Sequence, residues 1–373
     1  MNNNKKILSP FTFPISGIEL TNRAVMAPMT TFSGNNDGTT NDAEVAYYQK
    51  RNESAGLLIT ACAYVEKQGK GFHGQIGADT DEMIPSLKRI AEVLKEKGGK
   101  AVLQIYHGGR MSPPEELPDG QTVSASAVPA ERPGAQVPRE MTQQEIENTI
   151  LAFAEATRRA IEAGFDGVEI HGANTYLVQQ FFSPHSNRRS DRWGGDLTQR
   201  MAFPLAVVDT VKRAASKAGR SFLVGYRISP EEMENPGITM EDTLSFVEAL
   251  SKKALDYLHV SVMDFWAGSI RDKADTASRA TVISAKVGHI VPIIGVGGIH
   301  TPADAEKVLE TGVQLVAMGR ELLMEPLWAK KVAENAVDQI ETTLDTNAQD
   351  FLSIPAPLWH GLVSRTGWMP LKK

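Results

Sequence analysis

Short apolar segments rich in β-branched residues alternate along this chain with longer segments in which apolar residues recur at helical spacing. This alternation is typical of βα units arranged around a parallel sheet. The sequence predicts eight strands, at 24–27, 57–60, 101–105, 167–170, 222–226, 257–260, 291–296 and 315–318. It predicts helices near 41–54, 86–97, 142–163, 200–218, 240–253, 279–288, 301–311 and 321–335.

Two of the predicted helices have clear start signals. Thr142 and Glu145 have the spacing of a capping box, and apolar residues follow them on one helical face. Thr301 precedes Pro302, which falls at the first helical position, where proline loses no helical hydrogen bond. Gly312 then stands where that helix should end. These signals support a helix in both segments.

Eight strands, each followed by a helix, predict a (β/α)8 TIM barrel. A doubly wound open sheet would use the same units, so the choice depends on the count of eight. We expect one domain over residues 1–373, with the barrel at about 20–336 and a C-terminal tail at 337–373. A long loop at 108–141 follows strand three and would form a lid or wall of the site; a disordered insertion is the alternative.

Composition and charge exclude several classes of protein. The 39 basic and 45 acidic side chains include no dense basic block, so nucleic acid is not an expected partner. Cys62 is the only cysteine, which excludes an internal disulfide, a four-cysteine zinc site and a cysteine-ligated iron–sulfur cluster. We expect no metal. No apolar run approaches the roughly 18 residues of a membrane span, and no signal peptide precedes the first strand, so we expect a cytoplasmic protein.

Polar residues and glycines occur directly after the predicted strands. In a parallel barrel the carboxyl ends of all strands meet at one mouth, where active sites lie. We therefore expect one site that combines these residues. They are Pro28, Met29, Thr30, Cys62, Gln104, His171, Asn174, Tyr176, Arg227, Gly297, Gly298, Gly319 and Arg320.

The last two strands predict a phosphate site. Gly297 and Gly298 end strand seven before a helix, and Gly319 and Arg320 end strand eight. Glycines let backbone N–H groups approach an anion, a helix N-terminus adds its dipole, and arginine supplies a bidentate cation. Tight turns that require glycine are the alternative explanation for the glycines taken alone.

A second pattern follows strand four. His171 and Asn174 are three residues apart and can both donate a hydrogen bond to one oxygen atom. Tyr176 is protonated at neutral pH and can supply a proton without any change of its pKa. A histidine satisfied in the core is the alternative for His171 alone. Together the three residues predict a site that binds an oxygen atom and supplies a proton.

Several segments of the chain, in this order, resemble the Old Yellow Enzyme family of NADH:flavin oxidoreductases, the FMN-dependent ene-reductases. The resemblance covers about 8–325, and its most specific parts are 22–29, 103–110, 164–177, 182–188, 191–195 and 318–323. It implies a TIM barrel with non-covalently bound FMN at its mouth and NADH or NADPH as reductant. It also implies a ping-pong hydride transfer that reduces the C=C bond of α,β-unsaturated carbonyl compounds.

The resemblance implies a role for each residue at the strand ends. His171 and Asn174 would bind the substrate carbonyl oxygen, and Tyr176 would be the proton donor. The remaining residues would bind FMN: Pro28, Met29, Thr30 and Cys62 along the flavin, Gln104 at its pyrimidine edge, Arg227 by N1 and O2, and Gly297, Gly298, Gly319 and Arg320 at the phosphate.

Three positions depart from the family pattern or are left open by it. Cys62 stands where alanine is common beside the flavin, and a small buried hydrophobe is the simpler interpretation. Phe32 stands where a substrate-pocket tyrosine is common, which removes a hydroxyl. Arg365 resembles an arginine that enters a neighbouring subunit's site in a bacterial branch, so a homo-oligomer and a solvated tail are both open.

Two other functions would use the same cofactor. An NAD(P)H oxidase or quinone reductase needs no positioned acid, so Tyr176 argues against it. A flavin-binding sensor without turnover would need none of His171, Asn174 and Tyr176. The sequence therefore predicts an enzyme whose partners are small molecules of the enone, quinone or nitro class, with no nucleic acid or membrane partner.

Overall fold

Eight parallel strands form a closed barrel in the computed structural model, which describes residues 6–372. Each strand pairs with the next along the chain, and the eighth closes on the first. The predicted (β/α)8 barrel is confirmed, and the open doubly wound sheet is excluded. The strands are β1 (Ala24–Met26), β2 (Leu57–Tyr64), β3 (Lys100–Tyr106), β4 (Gly167–Gly172), β5 (Leu223–Ile228), β6 (Tyr257–Val260), β7 (Ile293–Val296) and β8 (Leu315–Met318).

Helices follow the strands and surround the barrel. The predicted capping box forms at Thr142, and a second capping box forms at Thr301, where the helix starts as predicted. The predicted helix at 321–335 is two helices, because Pro326 has no N–H with which to continue the first. The helices are α1 (Asp42–Lys50), α2 (Ile84–Lys95), α3 (Gln143–Glu162), α4 (Ala202–Ala215), α5 (Met240–Ser251), α6 (Arg279–Val287), α7 (Pro302–Glu310), α8 (Arg320–Met324), α9 (Trp328–Ala333) and α10 (Ala356–Ser364), with short helices at Leu177–Phe182 and Leu197–Arg200.

The barrel strands are buried on both faces. Every residue of β2, β4 and β5 is buried, which explains why these strands have almost continuous apolar sequences. A small antiparallel pair, Phe11–Thr12 with Glu19–Leu20, precedes β1. Phe13 in its turn joins a buried cluster with Leu57 and Tyr257, which begin β2 and β6. This hairpin therefore closes the amino end of the barrel and leaves the carboxyl end as the site-bearing face.

The segment 108–141 is folded, which excludes the disordered alternative, and its role as a lid or wall of the site stays a prediction. Its two short strands, Val123–Ser124 and Arg139–Glu140, pair with each other. The buried Arg110 donates to the carbonyl oxygens of Val128 and Pro129 at 3.1 and 3.0 Å. These bonds join two parts of the segment to each other, and no residue from it lines the main cavity of the described structure.

The C-terminal tail folds back onto the barrel rather than extending into solvent. Leu344 exchanges backbone hydrogen bonds with the last described residues, accepting from the N–H of Lys372 at 2.8 Å. The carbonyl of Trp368 accepts from Arg320 Nη1 at 3.2 Å, so the tail reaches the barrel mouth. Arg365 is exposed, and its entry into a neighbouring subunit stays a prediction. Residues 6–372 contain no helix that is both long and apolar enough to cross a membrane.

Candidate active site

A cavity of about 370 Å³ opens at the carboxyl ends of the strands. It brings together every residue predicted at the strand ends, while Phe32 lies outside its wall. Its wall also contains residues that the sequence did not indicate. Those with polar or large side chains are Ser261, Met263, His300, Glu321 and Trp368.

Phe32 lies on the outer rim, not in the cavity. Its backbone is left-handed, with φ of 55°, and its ring packs edge-on against Phe72 with centroids 5.1 Å apart. The side chain is 36% exposed. Phe32, two residues past Thr30, therefore does not line the cavity of the described structure, and its place in a substrate pocket stays a prediction.

Gln104 forms part of the floor of the cavity, and a buried carboxylate that does not itself line the cavity lies beneath it. Glu169, within β4, accepts from Gln104 Nε2 at 2.7 Å and lies 3.0 Å from His259 Nδ1. Burial acts to raise the pKa of Glu169, but His259, Arg227 and the Gln104 N–H together lower it, so the carboxylate is ionised. Burial lowers the pKa of His259, so its ring is neutral with the proton on Nδ1. The sequence analysis missed both residues, although each is a polar residue in an otherwise apolar strand.

Arg227 and Cys62 complete this inner surface. Arg227 is buried, and its Nε has no hydrogen-bond partner among residues 6–372. Its guanidinium stays charged, because burial cannot bring a pKa above 12 down to neutral pH in a site that also holds a carboxylate. Cys62 is 6% exposed, and burial raises the pKa of its thiol to about 12. The thiol is therefore neutral, and the interior charge comes from Arg227 and Glu169.

His171 is fixed as a hydrogen-bond donor. Its Nδ1 accepts the backbone N–H of Ala173 at 3.3 Å, which leaves the ring proton on Nε2. Burial, with the nearby charge of Arg227, holds the pKa of His171 well below its ordinary value. The imidazole is therefore neutral at pH 7 and presents an N–H to the cavity rather than a lone pair.

Asn174 lies in a strained turn directly after β4. Asn174 and Thr175 both have left-handed backbones, with φ of 57° and 67°, and for a β-branched residue such as Thr175 this is costly. The turn is held by Ser229, whose Oγ accepts the Asn174 N–H at 2.9 Å, and by Ser261, whose Oγ donates to Asn174 Oδ1 at 3.0 Å. Among residues 6–372 the amide nitrogen of Asn174 has no hydrogen-bond partner, so it is open to a ligand.

Tyr176 follows this turn and packs against aromatic neighbours. Its ring is edge-on to Tyr106, with centroids 4.4 Å apart, and to His171, with centroids 5.0 Å apart. Burial, with the nearby thiol of Cys62, raises the pKa of Tyr176 to about 12. The hydroxyl is therefore protonated throughout the physiological range and able to donate its proton to a stronger base.

The glycines at the other end of the cavity are required by the backbone. Gly297 has φ of 116°, and a Cβ there would lie 2.8 Å from the backbone nitrogen of Asp264. Gly298 has φ of 65°. A tight turn therefore requires these glycines, as the alternative explanation held. The same turn leaves the backbone N–H groups uncovered by side chains, so it is compatible with an anion site.

An arginine and a histidine accompany these glycines. Arg320 begins α8, directly after Gly319. His300 Nδ1 lies 2.8 Å from Glu321 Oε2, and this hydrogen bond raises the pKa of His300. This end of the cavity therefore suits an anion such as phosphate.

The donor set fits FMN. The inner surface offers an amide, an unpartnered Arg227 Nε and apolar wall residues, which suits a flat ring system with a polar edge. The far end offers the glycine turn and Arg320, which suits a phosphate group. No group of three or more His, Cys, Asp or Glu among residues 6–372 is placed to hold a metal ion.

Comparisons with known proteins agree with this assignment. The model of the NADH:flavin oxidoreductase / NADH oxidase family matches residues 6–339. The chain is 49% identical over 369 residues to a probable NADH-dependent flavin oxidoreductase, YqiG, of Bacillus subtilis (strain 168). That match covers 99% of this chain and 98% of the relative.

Two further similarities differ in extent. The chain is 47% identical over 364 residues to the NADH:fumarate oxidoreductase of Klebsiella pneumoniae (strain 342), a match that covers 96% of this chain but only 39% of that longer protein. The structure of morphinone reductase in complex with tetrahydroNAD superposes with a TM-score of 0.75 at 27% identity. This superposition covers 88% of this chain and 91% of the reductase.

Proposed function

Because the chain belongs to the NADH:flavin oxidoreductase / NADH oxidase family, which is the Old Yellow Enzyme family that its sequence resembles, we propose that it reduces the C=C bond of α,β-unsaturated carbonyl compounds. FMN is the cofactor of this family, and when bound it takes hydride from NADH or NADPH and passes it to the substrate. The members are oxidoreductases, which favours an enzyme over the flavin-binding sensor.

One observation carries the proposal: three residues that can donate a hydrogen bond, His171, Asn174 and Tyr176, line the same cavity. His171 presents Nε2–H, because its Nδ1 is occupied by a backbone N–H. Asn174 presents its amide nitrogen, because its oxygen is occupied by Ser261. Two neutral donors that converge on one oxygen stabilise the negative charge that develops on a carbonyl oxygen when the β-carbon accepts hydride.

Tyr176 supplies the proton that completes the reduction. Reduction of an activated C=C bond adds hydride at one carbon and a proton at its neighbour, and the proton must come from a group that is protonated at working pH. Tyr176 meets this condition, because its pKa is raised to about 12. It also lies beside His171, so a substrate whose oxygen is bound by His171 is within reach of the hydroxyl.

Anaerobic stopped-flow reoxidation tests the proposal. The enzyme is reduced with one equivalent of NADH and mixed with cyclohexenone, a quinone or a nitro compound, and the flavin absorbance is followed. We expect the enone to reoxidise the enzyme with saturation, and saturated product to appear in equal amount. Rapid reoxidation by the quinone together with no product from the enone would reject the proposal. A purified protein that is colourless and takes up no FMN would reject it as well.

A second candidate is an NADH dehydrogenase that passes electrons to a different acceptor. The partial match to the NADH:fumarate oxidoreductase leaves room for it, because this chain corresponds to only 39% of that protein and the rest of its length has no counterpart here. Fumarate reduction by that longer protein is therefore not proposed for this chain. Quinone reoxidation that is unaffected by Tyr176→Phe, with no enone turnover, would favour this candidate.

A further inference from the structure

The interior of the barrel beneath the cavity contains a carboxylate to which the proposed reaction gives no role. Glu169 is 0% exposed and is bonded to Gln104 on β3 and to His259 on β6. A buried carboxylate costs free energy unless hydrogen bonds satisfy its oxygens. Here each oxygen has one N–H partner, so the carboxylate is held in a single orientation.

This carboxylate determines which end of the Gln104 amide faces the cavity. An ionised carboxylate only accepts hydrogen bonds, whereas a primary amide donates at nitrogen and accepts at oxygen. The 2.7 Å contact therefore requires the Nε2 end of Gln104 to lie at Glu169. Among residues 6–372, this is the only hydrogen bond that the Gln104 side chain makes. Because Gln104 lines the cavity, its Oε1 is left to accept from a ligand.

His259 prevents the carboxylate from turning away. Its neutral ring carries one proton, on Nδ1, and directs it at the second oxygen of Glu169 at 3.0 Å. Of the two amides that line the cavity, Gln104 is the one whose orientation is fixed by a charged neighbour that can only accept hydrogen bonds.

We propose that Glu169 is a positioning residue that holds the Gln104 carbonyl oxygen toward the cavity and so provides an acceptor for the N3–H group of FMN. This inference rests on the proposed function, in which FMN occupies the cavity. The flavin pyrimidine edge carries one N–H between two carbonyl groups, so an acceptor at its centre matches it and a donor does not. A reversed amide would place N–H against N–H.

Ionisation of N3–H in the bound flavin tests this directly. A hydrogen bond to the neutral form disfavours the anion. The holoenzyme is therefore titrated to alkaline pH, and the visible absorbance of bound FMN reports the N3–H ionisation constant. In Glu169→Gln the new amide can donate or accept, so Gln104 is no longer held. We expect the ionisation constant of N3–H to rise at least tenfold and the FMN dissociation constant to rise about tenfold.

Two further variants separate orientation from charge. Glu169→Asp keeps the charge but withdraws the oxygens from Gln104, so it should change the N3–H ionisation in the same direction by a smaller factor. The double variant Glu169→Gln, Gln104→Glu restores an acceptor-only group at the cavity edge. It should return the ionisation constant to the wild-type value or below it.

Glu44→Gln is the matched control. Glu44 is also a buried carboxylate with two hydrogen-bond donors, Thr31 at 2.6 Å and Thr40 at 2.7 Å, and it does not line the cavity. It should leave N3–H ionisation unchanged even if it lowers thermal stability. A general loss of packing would affect both glutamate variants alike.

The outcomes distinguish this inference from the proposed function. If the wild-type protein binds no FMN, the proposed function fails first. If it binds FMN and Glu169→Gln titrates like Glu44→Gln, the inference is overturned while the proposed function stands. If Glu169→Gln does not fold, Glu169→Asp and the double variant decide, and an unchanged ionisation constant in the Asp variant would overturn the inference.

Discussion

The inner floor and the outer rim of the cavity are built in different ways. On the floor, Gln104, Glu169 and His259 are 2%, 0% and 0% exposed, and direct side-chain hydrogen bonds join them. On the rim, Met263 is 72% exposed and Asn174 lies in a strained turn. A rigid, charged floor suits a cofactor whose position must not vary. Under the proposed function, an exposed rim suits exchange between a nicotinamide and a second substrate, which would use the same space in turn.

The difference predicts that variants on the rim change the reoxidation of the flavin by substrate, whereas variants on the floor change the binding of FMN. The largest expected effect is at Tyr176, which directly follows the strained turn of the rim. Tyr176→Phe keeps the ring packed on Tyr106 and removes only the hydroxyl. Reoxidation by an enone should slow by roughly 10²-fold or more, since general acids contribute about 10²–10⁴-fold. Flavin reduction by NADH should hardly change, because it needs no protein acid.

The measurement is stopped-flow absorbance of each half-reaction on the same preparation. Quinone reoxidation provides the control, since a quinone oxygen can take its protons from solvent. Equal slowing of NADH oxidation and enone reduction would mean that Tyr176 supports the floor rather than the chemistry at the rim.

The next largest effect is expected at the phosphate end of the cavity, which, like the floor, is expected to bind FMN. Arg320→Ala removes a cation beside the glycine turn. Charge-assisted hydrogen bonds contribute about 1.5–3 kcal/mol each, so the FMN dissociation constant should rise roughly 10–100-fold. Arg365→Ala is the matched control, because Arg365 is an exposed arginine of the same tail region that Arg320 contacts. Fluorescence of released FMN measures both.

A similar loss in both arginine variants would mean that general positive charge, rather than a specific contact, holds the phosphate. An unchanged dissociation constant in Arg320→Ala would remove the phosphate site from this end of the cavity. In either case the rim chemistry of the FMN-loaded protein should stay intact.

The sequence predicts the floor and the rim to different degrees, and the reason is geometric. Positions within a regular strand follow from the strand itself, so Gln104 and Arg227 could be assigned to the cavity from their strand ends. Phe32 could not be placed in this way, because it lies in a loop and its own backbone is left-handed. Trp368 was missed because the tail must first fold back by contacts such as that with Arg320, which no local pattern encodes.

Glu169 and His259 were missed for another reason. Both lie inside strands, where a polar residue alone is more often satisfied within the core than used by a ligand. The pairing of strands that brings Glu169 between Gln104 and His259 is a property of the closed barrel. The segment 108–141 shows a related limit: its place after β3 predicts a lid or wall of the site, but none of its residues lines the cavity itself.

A smaller effect is expected from pH. Glu321 raises the pKa of His300 above its ordinary value near 6.5; the other charged groups around the ring are Arg320, which acts to lower it, and Asp304, which acts to raise it. A nearby phosphate favours the protonated ring further. The contribution of His300 to FMN binding is therefore complete below pH 6.5 and is lost as pH rises through the raised pKa. Because His300 is partly exposed and screened, we expect only a roughly two- to fivefold loss of affinity.

His300→Gln should remove this dependence without changing affinity at high pH. The FMN dissociation constant is measured above pH 6.5, where the phosphate is already mostly dianionic because its second pKa is about 6. An identical pH profile in His300→Gln and wild type would show that another group titrates.

The smallest expected effect is at Cys62, which lines the floor but adds no charge to it. Its thiol is neutral, because burial raises its pKa to about 12, and its Sγ lies 3.5 Å from Gln75 Nε2. Cys62→Ala should cost about 1 kcal/mol of stability through a small cavity. The FMN potential should stay within about 20 mV of wild type, which is under 1 kcal/mol for a two-electron couple. Since Glu169 and Arg227 supply the field at the flavin, a larger shift in a spectroelectrochemical titration would mean that the thiol dipole contributes to it.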